Sequence, residues 1–445
     1  MLFSRCLGQL KVQKIERNEI MNQFIEYRRE FHHYPEIGWR ELRTSARVAE
    51  ILEAMGYSCL MGKDVVREET ISFEMLSEEE KEAEKKRAVS QGAAPAYVER
   101  TCGYPGVIAI LNTGKKGPVT AFRFDIDCLP YQEPAKTGFR PFDEGYISCN
   151  ADCVHACGHD AHTAIGLGLA DALMKRRDEL KGQIKLIFQP AEERYNGAQA
   201  IVDKGHLDDA ENFISIHMAL TGEGRPLPSN TICCGCKDFL SDCQLDVTFH
   251  GRAAHPCGAA QEGKNALLAA CSAAMNLHAI APHEAGLCRV NVGKLNAGVV
   301  VNTIAPTAFM SIEYRGQTQE ISQYARGRVF DILDGSVKAY DMDYTYIDFG
   351  EIPAAQSDDA MMEVIERAAG QVDWFQKIYF EGSVGGTDDA SVMMNKVQAN
   401  GGNATYVGIG TDTTQPLHNA EFDLDEEAIP AAIGMLVHAV EELKR

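Results

Sequence analysis

VTAFRFDID (residues 119–127), AHTAIGLGLADALMKRRDEL (161–180), QIKLIFQP (183–190) and NFISIH (212–217) are the segments whose reading decides the fold. The first, third and fourth are apolar runs of strand length, and VIAIL (107–111) precedes them as another. The second places Ile165, Leu169, Ala172 and Leu173 on one helical face, with Gly182 beyond its end. Strands alternating with helices in this way predict a largely parallel sheet covered by helices, an α/β architecture.

Working towards the N-terminus, residues 22–34 read as a short helix stopped before Pro35, because the residue ahead of a proline is driven out of the helical region. A second helix begins near Glu41, with Leu42, Ala46, Ala49 and Leu52 on one face and Gly56 as its stop. The organised sequence begins near Met21, which is a candidate start. Residues 66–103, with SEEEKEAEKKR at 77–87, read as a charged helical insertion with a solvated face.

Beyond Leu227 the rhythm changes. Leu245, Val247 and Phe249 alternate in CQLDVTFHG (243–251), and a helix (264–280), strands (288–295 and 307–315), a helix (318–338) and a strand (343–349) follow. This strand-helix-strand-strand-helix-strand order is enough for a small α+β domain. The expectation is a discontinuous catalytic domain, residues 1–234 and 350–445, interrupted by an inserted domain, residues 235–349.

The chain has 445 residues, 45% apolar and 24% charged, a globular balance with room for two domains. A net charge of −21 argues against nucleic acid and anionic membranes as partners. No run approaches a membrane span, and the N-terminus lacks a secretory cleavage pattern. The 14 cysteines follow no disulfide framework, which predicts reduced thiols and a cytoplasmic location. Cys233, Cys234 and Cys236 resemble half of a metal clip without a matching second half.

The chemistry concentrates in HACGHDAH (155–162), where three histidines, a cysteine and an aspartate share one loop ahead of a helix. Cys157 and His159 flank Gly158, whose backbone freedom lets both face one ion. In QPAEE (189–193), Glu192 and Glu193 stand side by side after a strand. A cation relieves their repulsion, and their divergent side chains allow one to bind metal while the other moves a proton. His217 closes NFISIH and His418 lies in QPLHNAEF (415–422) after TYVGIGTD. Both would join the set, because ligands of parallel sheets gather at strand carboxyl ends. Arg123, Asp125 and Asp127 alternate along one strand and share a face.

With FRFDIDCLP, HACGHDAH, FQPAEE, ISIH and PLHNAEF in this order, the chain resembles the metallopeptidase superfamily of glutamate carboxypeptidases and aminoacylases, in its hippurate hydrolase and auxin-conjugate amidohydrolase branch. YRREFHHYPEIGW (27–39), the charged insertion, ISCNADCVHACGHDAHTAIGLGLA (147–170) and GGTDDASVMMNKVQANGG (385–402) are similar to the aminobenzoyl-glutamate hydrolase group within it. The resemblance implies that Cys157, His159, Glu193, His217 and His418 bind two divalent ions, manganese or zinc. It implies Glu192 as general base and Asp127 as a supporting carboxylate. The inserted domain would be a lid and dimerisation domain. There, His255 in FHGRAAHP would stabilise the tetrahedral intermediate, and Asn302 in VVNTIAP and Arg315 in AFMSIEYR would hold a substrate carboxylate.

The implied reaction is hydrolysis of the amide of an N-acyl amino acid, with p-aminobenzoyl-glutamate the first substrate to test. The implied assembly is a homodimer or a heterodimer with a homologous B-type subunit. A broader N-acyl-amino-acid amidohydrolase or dipeptidase is the alternative. A cysteine hydrolase using Cys157 as nucleophile leaves Glu192, Glu193, His217 and His418 without work. A regulatory subunit retaining the fold would be expected to have lost ligands or the base. After Glu193 the chain reads Arg194-Tyr195-Asn196-Gly197 where many members of the branch carry a glycine run, a departure that bears on the acyl pocket.

Overall fold

The computed structural model describes residues 22–71 and 76–444. Met21, the candidate start, lies outside them. The chain divides into two compact units, residues 1–237 with 356–445, and residues 238–355.

The first unit is built on an eight-stranded sheet. Its centre is four mutually parallel neighbours, Gln183–Gln189, Val119–Asp125, Asn212–Met218 and Asn403–Ile409. Val107–Asn112 and Ser58–Met61 add antiparallel strands on one side, and Thr231–Cys233 with Lys377–Tyr379 extend the other. The central strands are buried along nearly their whole length, which is why they read as continuous apolar runs.

The helix His159–Lys175 lies against this sheet. Gly166 makes the approach possible: a Cβ there would stand 2.7 Å from the Phe124 ring and 2.8 Å from that of Phe188. The sequence extends this helix to Leu180, whereas the α-helix stops at Lys175 and Arg177–Glu179 form a 3-10 turn. The polar run after Met174 has no core to face. Near the N-terminus, a helix spans 22–33, and Leu42–Met55 ends at Gly56 in a left-handed cap with φ of 100°.

The charged insertion is helical, but it is docked. Ser77 and Glu80 form a reciprocal cap on Glu78–Ser90. Ala88, Ala93 and Val98 bury against Leu42 and Ala46. Arg87 pairs with the buried carboxylate of Glu36, which also accepts the backbone N–H groups of Arg43 and Thr44.

The second unit pairs its strands antiparallel in the order Cys288–Ala297, Thr307–Gly316, Asp242–His250, Asp343–Ile352. Helices Ala266–Leu277 and Gln319–Ala339 supply the rest of its core. Element order is the strand-helix-strand-strand-helix-strand unit, with the last strand running to Ile352. Among the described residues no helix is long and apolar enough to cross a membrane.

Candidate metal centre

The carboxyl ends of the four parallel strands deliver the polar side chains to one place, as parallel-sheet geometry requires. Gly158, with φ of 85°, turns the chain into the helix that begins at His159. Cys157 Sγ then lies 3.5 Å from His217 Nε2 and 3.4 Å from His418 Nε2. His418 Nε2 is 3.5 Å from Glu193 Oε1. Donor atoms of Cys157, Glu193 and His418 all fall within 4.8 Å of one another, as do those of His159, Glu192 and Glu193. Glu193 belongs to both groups. The five residues read as ligands are therefore neighbours.

Hydrogen bonds outside this cluster fix which ring nitrogens point in. His217 donates Nδ1–H to the Met218 carbonyl at 2.7 Å, which leaves Nε2 with a lone pair towards Cys157. His159 donates Nδ1–H to the Asp127 carbonyl at 3.0 Å. His159 Nε2, Glu193 Oε1 and Asp127 Oδ1 are buried with no hydrogen-bond partner. Burying three polar atoms without partners is costly, and cations are what two carboxylate oxygens and an imidazole lone pair would accept. The donor set of thiolate, imidazole and carboxylate fits zinc or manganese.

The electrostatics agree. Burial disfavours charge on His159, yet Asp125 and Asp127 outweigh it and hold its pKa up at about 10, so positive charge is favoured there. Burial raises Glu193 to about 7. Burial, then Asp388 and Glu193, raise Glu192 well above the usual carboxylate range. Burial and the two glutamates also push the Cys157 thiol up, the opposite of an activated nucleophile.

Asp127 lies just past the strand end, and its Oδ2 accepts the Glu193 N–H at 3.0 Å. His162, from the same motif, has both nitrogens engaged. Nδ1 meets Asp125 Oδ1 at 2.5 Å and Nε2 accepts the Met218 N–H at 2.9 Å. It braces the cluster from behind.

The sequence reading assigned no role to two further groups. Arg123 is fully buried, with NH1 2.6 Å from Asp125, and it pairs with Asp388 at 3.2 Å and Asp389 at 3.1 Å. Tyr406 donates its hydroxyl to Asp388 and stacks on His217. The adjacent Asp388-Asp389 pair in GGTDD was the available signal. Behind the candidate metal loop, Asp160 forms an ion pair with Arg28, whose Nε lies 2.8 Å away, and accepts from His32 Nδ1 at 2.7 Å, while His32 Nε2 meets Glu133 at 2.8 Å. Arg28 and His32, four apart on one helix, were the signal there.

His32 carries a pH consequence. Burial and Arg28 oppose its charge, but hydrogen bonds to Asp160 and Glu133 prevail and raise its pKa from 6.5 to about 9. Its stabilisation is complete below pH 6.5 and is lost as pH rises through 9, amounting to roughly 3 kcal/mol. Arg28, Asp160, Glu133, Tyr146 and His155 surround its ring. Thermal midpoints measured from pH 6.5 to 9.5 should fall more steeply for the wild type than for His32→Gln. Parallel curves would refute the assignment.

In the second unit, His255 is exposed and its Nδ1 accepts the N–H groups of Cys257 and Gly258 at 3.2 and 3.1 Å, so its proton sits on Nε2. Asn302 is exposed in a turn. Arg315 is half-buried, its NH2 held by Asp242 at 3.0 Å and Glu313 at 2.7 Å. Cys233, Cys234 and Cys236 are buried in the first unit. Gly382 and Gly408 lie so close that a Cβ would stand 2.3 and 2.5 Å from Cys233 Sγ. Among the described residues no metal-binding group includes these three cysteines.

Comparison with known proteins bears on this geometry. Residues 121–442 match the family described as Peptidase family M20/M25/M40. The chain is 40% identical to the A-type subunit of the p-aminobenzoyl-glutamate hydrolase of Escherichia coli (strain K12), covering 94% of this chain and 97% of that one. It is 39% identical to the indole-3-acetyl-aspartic acid hydrolase of Enterobacter agglomerans, covering 94% and 95%. A dinuclear metal-binding peptidase of the M20 family from Bacillus subtilis superposes with a TM-score of 0.71 at 25% identity, covering 96% of this chain and 99% of that one.

Proposed function

The chain belongs to peptidase family M20/M25/M40, and from that premise we propose that it is a two-metal amidohydrolase that cleaves N-acyl amino acids, with p-aminobenzoyl-glutamate as its substrate. The observation that carries the reading is the set of buried atoms with no hydrogen-bond partner, His159 Nε2, Glu193 Oε1 and Asp127 Oδ1, beside Cys157, His217 and His418. Cys157, His159, Glu193, His217 and His418 would hold two divalent ions, manganese or zinc, with Asp127 in support. When bound, such ions polarise the amide carbonyl, lower the pKa of water and stabilise the oxyanion.

The chain's own groups do the rest. Glu192 takes a proton from the attacking water and returns it to the leaving amine nitrogen, yielding the free acid and the amino acid. A buried carboxylate with a raised pKa suits both halves of that task. In a dimer, His255 Nε2–H would reach the partner's site as the donor for the tetrahedral oxyanion, and Asn302 and Arg315 would receive the substrate carboxylate.

The test of the reaction is a panel of aminobenzoyl-glutamate, hippurate and acetylated amino acids with manganese or zinc. Preference for the first supports the reading, and equal rates on all favour a broader amidohydrolase or dipeptidase. The second unit serves as lid and dimerisation domain, in a homodimer or beside a homologous B-type subunit. Assays of the chain on its own and together with such a partner separate these. The free thiols of the described cysteines suit a reducing cytoplasm.

For Arg315→Ala the expected result is a KM raised on the order of tenfold with kcat little changed, since a charge-assisted hydrogen bond contributes about 1.5–3 kcal/mol. A substrate whose carboxylate is replaced by a carboxamide should not show this sensitivity. Equal losses on both would remove Arg315 from the carboxylate site.

A further inference from the structure

Between Glu192 and Gly197 the backbone takes a conformation that its residues resist. Glu192–Arg194 form a 3-10 turn flanked by Ala191 at φ of 55° and Tyr195 at φ of 62°, both left-handed. For a bulky side chain such as tyrosine that region is an outlier costing on the order of 1–2 kcal/mol. Strain of this kind persists only where the surroundings over-determine it.

They do so here. The Ala191 N–H donates to the buried Glu41 carboxylate at 2.7 Å, and the Tyr195 N–H to the Glu192 carbonyl at 2.8 Å. Trp39 Nε1–H holds the Asn196 side chain at 2.8 Å. Gly197 presses so closely on Pro190 that a Cβ would stand 1.7 Å from its carbonyl oxygen. The turn is pinned at both ends, and Tyr195 is held where it stands.

Where it stands is in the cleft. One cavity of about 170 Å³ is lined by Cys157, Glu192, Glu193, His217 and His418, by Thr387, Asp388 and Tyr406 beside them, and by Tyr195, Leu220, Val384 and Leu417. None of the residues lining this cavity is Lys or Arg. A free carboxylate would therefore find no lysine or arginine among these walls, whereas an apolar ring would find two phenols and three aliphatic side chains. Of the two ends of an N-acyl amino acid, these walls suit the acyl group better than the free carboxylate.

We propose that Tyr195 is a specificity-determining residue that selects a flat aromatic acyl group by packing its ring against that group beside Glu193. This rests on the amide hydrolysis proposed above and names the chemistry of its acyl side. Aromatic pairs gain from offset or edge-on contact beyond their buried area. A backbone held in place presents the ring at a reduced ordering cost.

The experiment compares kcat/KM for N-benzoyl-glutamate and N-acetyl-glutamate in the wild type, Tyr195→Phe and Tyr195→Gly. Glycine relieves the left-handed strain, so this variant is expected to fold, with a thermal midpoint at or above that of the wild type. The benzoyl-to-acetyl ratio should fall at least tenfold in Tyr195→Gly and stay within about threefold of the wild type in Tyr195→Phe. A ratio unchanged in Tyr195→Gly, with both substrates turned over, overturns the inference and leaves the reaction standing. A fall as large in Tyr195→Phe overturns it too, because the hydroxyl and not the ring would be selecting. Hydrolysis of neither substrate by the wild type would sink the reaction and the inference together.

Discussion

Glu192→Gln is expected to retain both divalent ions and to lose turnover on the order of 10³-fold. The substitution conserves volume and removes only the capacity to accept a proton. Glu192 Oε2 lies 3.9 Å from His159 Nε2, close enough to serve the same water as the metal cluster. Burial and the fixed carboxylate of Asp388 make it a stronger base than an exposed glutamate. Steady-state kinetics paired with metal analysis of the purified variant provide the check. Loss of metal in proportion to activity would reassign Glu192 as a ligand.

Exhaustive chelation should bring the second large effect. Activity should fall to background and return with manganese or zinc, and the thermal midpoint should drop with it. A ligand that binds only the folded state stabilises it by about 2.7 kcal/mol at 100 times its dissociation constant. Removing it leaves Cys157, His159, Glu192 and Glu193 crowded without a counter-ion, in surroundings that already raise the Cys157 thiol. Calorimetry of stripped and reconstituted protein, run beside the assay, reads both effects. Full activity in the stripped protein would return Cys157 to the role of nucleophile.

Much of this site was legible in the sequence because its residues stand at the carboxyl ends of apolar runs. Once VTAFRFD, QIKLIFQ and NFISIH are read as parallel strands, Asp127, Glu193 and His217 must approach one another. HACGHDAH advertises itself by density. The residues that went unread act through partners distant in sequence. Asp388 and Asp389 meet Arg123, more than 260 positions away, and Arg28 meets Asp423 and Glu426 nearly 400 away. No local pattern encodes such pairings.

The insertion is the surface helix with a solvated face that its sequence predicts, and it is also anchored. Its helix Glu78–Ser90 has few apolar positions and reads as solvated, yet it is attached largely through ion pairs such as Arg87 with Glu36 and Arg40 with Glu84. Helix ends drifted where polar residues continue a helical composition past the core, as they do after Lys175.

That attachment makes the charged segment structural scaffolding for chemistry it never touches. Arg87 neutralises Glu36, and Glu36 secures the first turn of the helix Leu42–Met55 through the Arg43 and Thr44 N–H groups. One residue ahead of that helix, Glu41 grips the Ala191 N–H, immediately before Glu192. A version of this chain shortened by excising 76–103 would expose a lone anion under the helix start and slacken the hold on Ala191. What looks in the sequence like a dispensable surface ornament is the outer end of a lever whose inner end rests on the turn that carries Glu192.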